Sequence, residues 1–159
     1  MEFRLGDLFE IKGVKQSKCQ KEIPTDINGI PYIVQSTANN MFSRNVNRQW
    51  LIDNNEPPQE GNAIVLGVTL PAVSYQPTEF GASQVITARS THLNEHVGIY
   101  FATIISKHMA RFSYQEKPGI QKYKNLRITL PVTKSLQADY AYMERFVREI
   151  IDDNQTCLD

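Results

Sequence analysis

No run of eighteen or more apolar residues occurs anywhere in the 159-residue sequence, so a membrane-spanning helix is not expected. The opening residues, MEFRLGDLFEIKG, lack the basic and then apolar regions of a secretory signal. Cysteine is scarce: Cys19 and Cys157 sit far apart in polar surroundings. Two unpaired thiols suit a reducing compartment better than a disulfide scaffold, so a cytoplasmic protein is expected. There is no Gly-rich phosphate loop, and no cofactor is expected. Internal repeats and low-complexity segments are also missing. What remains, at 41% hydrophobic and 21% charged residues, is the composition of one globular domain with a sizeable core.

Net charge is missing too, with 17 Lys/Arg against 17 Asp/Glu, but the charges are segregated. Residues 11–52 hold six Lys/Arg against Glu22 and Asp26, and residues 107–134 hold seven against Glu116 alone. The segments 1–10, 53–106 and 135–159 are acidic on balance. Should the two basic segments meet in the fold, they would form a positive face suited to phosphate; should they not, they are two solvated faces.

Periodicity sketches the elements. LGDLFEI at 5–11 reads as a short strand or a turn of helix, and the Lys-rich stretch from Gly13 to Glu22 as a solvated loop. Strands are expected at 30–35, 62–66, 84–88 and 126–132, each β-branched or apolar and closed by Gly, Pro or Asn signals. Helical spacing through Val97, Tyr100, Phe101, Ile104, Ile105 and His108 predicts a buried helix over 97–109. Residues 113–122 read as a polar loop. Residues 136–152 read as an amphipathic helix with Tyr140, Met143, Phe146, Val147, Ile150 and Ile151 on one side. Strands and helices do not alternate regularly, so the expected class is α+β, with short twisted strands, a central buried helix and a C-terminal amphipathic helix. The expected division is a domain over 1–135 and a helix with its tail over 136–159.

No catalytic constellation stands out. His92-Leu93-Asn94-Glu95-His96 matches the H-x-x-E-H pattern of some zinc peptidases. That chemistry needs both histidines on one helical face and a third ligand elsewhere, whereas this stretch reads as a loop entering a helix. A metal-dependent hydrolase built on His92, Glu95 and His96 is the enzymatic alternative. Glu10-Ile11-Lys12 has a nuclease-like E-x-K form, but Asp7 is too close in sequence to pair with it across strands.

The most distinctive stretch is IPYIVQSTANNMF at 30–42, where an apolar strand delivers Gln35, Ser36, Thr37, Asn39 and Asn40 in six residues. Amides and hydroxyls of this kind read base edges, while lysines hold phosphates without reading sequence. The structural alternative is a turn rich in Asx hydrogen bonds. Loops at 67–80 and 113–124 would flank it. Tyr75, Gln76, Tyr114 and Gln115 are the next candidates for base or sugar contact, and Lys15, Lys18, Arg44, Arg48, Lys122 and Lys124 the candidates for phosphate.

The ordered series LGDLFEIKG, IPYIVQSTANN, GNAIVLG, FGASQVI, VGIYFATII, QKYKNLRITLPV and DYAYMERFVREI spans nearly the whole chain. It resembles the target recognition domain of specificity subunits from type I restriction–modification systems, and the related subunits of type IIB and IIG enzymes. The resemblance implies a non-catalytic module that binds double-stranded DNA, reads one half of a split target and directs partners. Those partners would be an adenine methyltransferase (modification) subunit, a restriction subunit, or a second copy of the chain. Tyr140, Met143, Phe146, Val147 and Ile150 are the candidate partner contacts. Full specificity subunits carry two such domains joined by long helices. Here there is one domain, and a helix over 136–152 would be only about 25 Å long, so the chain looks like a half-subunit or a domain of a longer protein. A protein-interaction module that has kept the fold but not the DNA is the remaining alternative.

Overall fold

The computed structural model describes residues 1–110 and 117–156. Its centre is strand β5 (Ala63–Gly67), all five residues of which are buried. Side chains alternate across a strand, and here both faces are covered. Ile64 and Leu66 join the main core, while Ala63 and Val65 join a second one. That is why AIVLG reads as a continuous apolar run rather than an alternating one.

β5 lies in a four-stranded antiparallel sheet of order β2-β8-β5-β6, made by β2 (Glu10–Val14), β6 (Val73–Gln76) and β8 (Val85–Arg89). One face packs on helix α3 (Glu95–Met109) through Val97, Phe101, Ile105 and Met109. The Asn94 side chain caps this helix, accepting from the Val97 amide at 3.0 Å. Gly98 lies so close to the Tyr75 ring that a Cβ there would stand 2.3 Å from Tyr75 Cδ2. The other face packs on a three-stranded sheet of order β4-β3-β7, formed by β3 (Thr25–Ile33), β4 (Phe42–Val46) and β7 (Gly81–Ala82). Ile33, Met41, Phe80 and Val85 fill the space between the sheets. The result is a helix–sheet–sheet sandwich of α+β class, as the sequence predicts.

The remaining elements close the ends. Strand β1 (Glu2–Arg4) pairs antiparallel with β9 (Arg127–Thr129), in register Phe3↔Ile128. Between them lie the short helices α1 (Leu5–Leu8), α2 (Arg48–Asp53) and α4 (Gly119–Asn125). Helix α5 (Tyr140–Thr156) packs on α3 with Met143 and Val147 buried.

Several boundaries differ from expectation, among them the strand expected over 30–35, which runs over Thr25–Ile33. The polar loop expected over 113–122 gives way to α4 from Gly119 onward, because Tyr123 buries completely and Ile120 packs beside it. The strand expected over 126–132 is a strand only over Arg127–Thr129, since its partner β1 is three residues long. The C-terminal helix starts at Tyr140 rather than 136. Residues 133–137 form a turn with Leu136 at φ +61°, and the Asp139 side chain then accepts from the Tyr142 amide at 3.0 Å.

Candidate nucleic-acid interface

The two basic segments meet. A Cβ on Gly13 of β2 would lie 3.3 Å from Ile120 of α4, and one on Gly6 would lie 2.8 Å from the Lys124 carbonyl oxygen. The Leu5 amide donates to the Leu126 carbonyl at 2.8 Å. From α4 the contacts continue: the Gly119 amide donates to Val68 O at 3.3 Å, and the Thr69 amide donates to Gln35 Oε1 at 2.7 Å. A continuous path of contacts therefore joins β2, which leads into the Lys-rich loop, to the start of α4, the β5–β6 loop and the polar cluster after β3. Lys15 and Lys18 project into solvent, and among the described residues neither has a carboxylate within ion-pair reach.

The polar cluster forms the β3–β4 hairpin loop, closed by the Val34 amide donating to Met41 O at 3.0 Å. Asn39, Asn40 and Met41 all take left-handed backbone, with φ of +55°, +56° and +64°. This conformation costs about 1–2 kcal/mol for an ordinary residue and less for Asn. Met41 is 1% exposed against Ile33, Val65 and Phe80. Burying such a side chain contributes about 1.5–3 kcal/mol, enough to hold the turn. Thr37, Asn39 and Asn40 are thereby displayed in solvent on a fixed backbone. Ser36 closes a local turn, its hydroxyl accepting from the Ala38 amide at 3.1 Å. Gln35 points inward instead: its Oε1 accepts from Thr69 N, Thr69 Oγ1 and Leu70 N.

Several sequence candidates are not brought to this surface. Tyr75 is 8% exposed and donates to Asn62 Oδ1 at 2.6 Å; burial pushes its phenol pKa up. Gln76 is 5% exposed and donates to Asn40 O at 3.2 Å and Ser74 Oγ at 3.0 Å. Both are interior groups although they point to opposite faces of β6, because α3 covers Tyr75 at Gly98 and the hairpin loop covers Gln76 at Asn40. Arg44 spends its guanidinium on the carbonyls of Ile23 and Gln20 and on Thr25 Oγ1. Arg48 forms a two-pronged ion pair with Glu79 at 2.8 and 2.9 Å, which holds the Glu79 carboxyl below its ordinary pKa. Lys122 is exposed and Lys124 half-buried, both on α4. Tyr114 and Gln115 lie outside the described residues.

A groove of about 420 Å³ runs beside the lysines, lined by Lys15, Gln16, Lys18, Asn54, Asn55 and Gln59 among others. Ser17 Oγ lies 2.8 Å from both carboxylate oxygens of Glu56 and ties the groove's two walls together. The sequence offered no signal for this pairing, because the two residues are 39 positions apart.

His92, Glu95 and His96 do not form a metal site: among the described residues, no three His, Cys, Asp or Glu side chains converge. His92 instead stacks on Tyr140, ring centres 4.2 Å apart. Along α5, Met143 and Val147 are buried, whereas Tyr142, Phe146 and Ile150 form an exposed stripe at 43%, 44% and 46%. Phe146 rests its ring against Tyr100 and Tyr142.

Comparison with known proteins assigns this sandwich to a family. The chain belongs to the family described as the type I restriction modification DNA specificity domain, which matches residues 1–157. Specificity subunits of that family are non-catalytic in general. No curated protein matches it in sequence. Among solved structures, the chain is similar to the HsdS subunit from Thermoanaerobacter tengcongensis, with a TM-score of 0.62 and 14% identity over 98% of this chain and 37% of that one. It is also similar to the type-I restriction-modification S subunit from M. genitalium, with a TM-score of 0.58 and 15% identity over 99% of this chain and 41% of that one. A third structure, from work on complex assembly and conformational transition of the type I R-M system, gives 0.61 and 11% over 98% and 40%. The chain spans about two fifths of the length of these structures. No helix among the described residues is long and apolar enough to cross a membrane.

Proposed function

We propose that this chain is the sequence-reading component of a restriction–modification system: a non-catalytic cytoplasmic module that binds one half of a split double-stranded DNA target. In this reading Ser36, Thr37, Asn39 and Asn40 face the base edges, and Lys15, Lys18, Lys122 and Lys124 face phosphates. Residues 1–135 act as the reading domain. The helix region 136–159 docks an adenine methyltransferase subunit or a second copy of the chain through Tyr142, Phe146 and Ile150, and a restriction subunit completes the assembly. The observation that carries the proposal is the left-handed Asn39–Asn40–Met41 turn, which displays two uncharged amides in solvent on a fixed backbone. Amides fixed in this way discriminate bases because little freedom is lost on binding.

Selection from randomised duplexes tests it. Wild type is expected to enrich one short motif. Asn39→Gly keeps the left-handed turn, which glycine favours, and removes only the amide; it is expected to lose preference at one base by about 1–3 kcal/mol. Replacing Lys15 and Lys18 by Ala is expected to weaken all duplexes alike and lower the salt slope by about 0.9 per lost contact. No enriched motif from wild type, or an unchanged motif from Asn39→Gly together with an unchanged slope from the lysine variant, defeats the proposal.

A further inference from the structure

The hairpin loop at 34–41 is bolted to the rest of the molecule at two points, and both bolts are glutamine amides running to the same β5–β6 hairpin. At one end, Gln35 Oε1 gathers the Thr69 amide at 2.7 Å, the Thr69 hydroxyl at 2.9 Å and the Leu70 amide at 3.4 Å. At the other, Gln76 Nε2 reaches the Asn40 carbonyl at 3.2 Å, and its second proton goes to Ser74 Oγ at 3.0 Å. Gln76 and Ser74 are 5% and 1% exposed, so neither can touch a duplex in this arrangement. Between the bolts, Thr37 to Asn39 are exposed, and the span is shaped by the Ser36–Ala38 turn and by the Met41 amide donating to the Ala38 carbonyl at 3.1 Å.

From this geometry we infer that Gln35 and Gln76 are positioning residues: they set base preference by aiming the Ser36–Asn40 span, without reading a base themselves. The inference rests on the proposed base-reading role of that span. Gln76 grips the carbonyl of the peptide that joins Asn40 to Met41, inside the left-handed turn. Removing its donor lets that peptide rotate, and the Asn39 and Asn40 side chains swing with it. Gln35 uses its acceptor, so a carboxylate in its place keeps the grip on Thr69 and Leu70, whereas a thioether releases it. A residue reading a base through its amide N–H would respond in the opposite way, because Glu offers no donor.

The test uses the full chain and randomised duplexes, with folding verified first by near-ultraviolet circular dichroism and thermal midpoint. Gln76→Met is expected to flatten preference about tenfold at the base positions that Asn40→Gly flattens, with an unchanged salt slope, and to add nothing further in the Asn40→Gly background. Ser74→Ala loosens the same amide at no cost in volume and is expected to give a weaker flattening at the same positions; it carries the test should Gln76→Met not fold. Gln35→Glu is expected to keep the wild-type motif while lowering affinity for every duplex alike, and Gln35→Met to relax the motif. Uniform loss on all sequences from Gln76→Met, or losses that simply add to those of Asn40→Gly, would reduce Gln76 to a structural role and overturn the inference alone. A relaxed motif from Gln35→Glu would make Gln35 a reader. An unchanged motif from Asn40→Gly would instead overturn the reading role of Asn40, and the inference with it.

Discussion

Tyr123 shows how much one hydroxyl can hold. Its side chain is 1% exposed, and its OH donates to the buried Gly67 carbonyl at 2.7 Å, tying α4 to the end of the central strand. Burial pushes its phenol pKa far above the ordinary value of 10.0. The folded protein therefore keeps the neutral form, while the unfolded chain ionises from about pH 10 upward. Between those two values the unfolded state holds fewer protons, so this contribution is full below pH 10 and falls by about 1.4 kcal/mol per pH unit above it. Tyr32, Tyr75, Tyr100 and Tyr140 are shifted the same way by burial, so the chain is expected to be alkali-sensitive. Tyr123→Phe is expected to cost about 1–3 kcal/mol at pH 7, because Gly67 O loses its partner, and to flatten the alkaline limb. Urea denaturation at pH 7 and pH 11 checks both; a limb as steep as wild type's would refute the assignment. At this scale the sequence was only half legible. The Asn39–Asn40 cluster announced itself by its chemistry. The inward turn of Gln35, Tyr75 and Gln76 did not, because a polar residue carries no sign of which face its backbone presents until pairing is known.

Helix α5 separates two kinds of apolar residue along one element. Met143 and Val147 face α3 and are 0% and 6% exposed, while Tyr142, Phe146 and Ile150 lie four residues apart on an open stripe. Met143→Ala is expected to destabilise the chain by about 2–5 kcal/mol. Phe146→Asp is expected to cost less than about 1 kcal/mol, since the ring is already half in water, yet to abolish assembly with the partner subunit or second copy. Chemical denaturation measures the first, and light scattering of the assembled complex the second. A Phe146→Asp chain that still assembles would clear the stripe of an interface role. The helix itself, like β5, β8 and α3, was readable because its apolar period is long. α4 was not: seven residues offer only Ile120 and Tyr123, too little to establish a period. The start of α5 was misplaced because Leu136 looks helical but sits in a left-handed turn set by Thr133 and Gln137.

At the scale of the molecule, the layers divide the labour. The main core, built around α3 and one face of the central sheet, carries α5 and its open stripe; the smaller core between the sheets carries the hairpin that displays the amides. The two faces of β5 connect them, so the hairpin proposed to read bases and the helix proposed to dock a partner are anchored in cores on opposite faces of one strand. The charges are segregated along the chain as well, with the basic segments touching where β2 meets α4 and the α5 region acidic on balance. That segregation was visible in the sequence; that the basic segments touch was not, because their meeting depends on the pairing of β1 with β9 and on the seat of α4. The β1–β9 pair also has a meaning in time. Register Glu2↔Thr129 closes a loop of most of the chain, the longest strand pairing among the described residues and so the most expensive to close. During synthesis β1 must therefore wait, unpaired, until its distant partner β9 has been made. It waits safely because it is three residues long, with Glu2 and Arg4 outward, a poor template for aggregation. Such a late-closing latch contributes to holding the fold shut but not to forming it. Phe3→Ala is expected to accelerate unfolding and leave the refolding rate nearly unchanged, and stopped-flow kinetics that slowed refolding in proportion would instead place β1 in the folding nucleus.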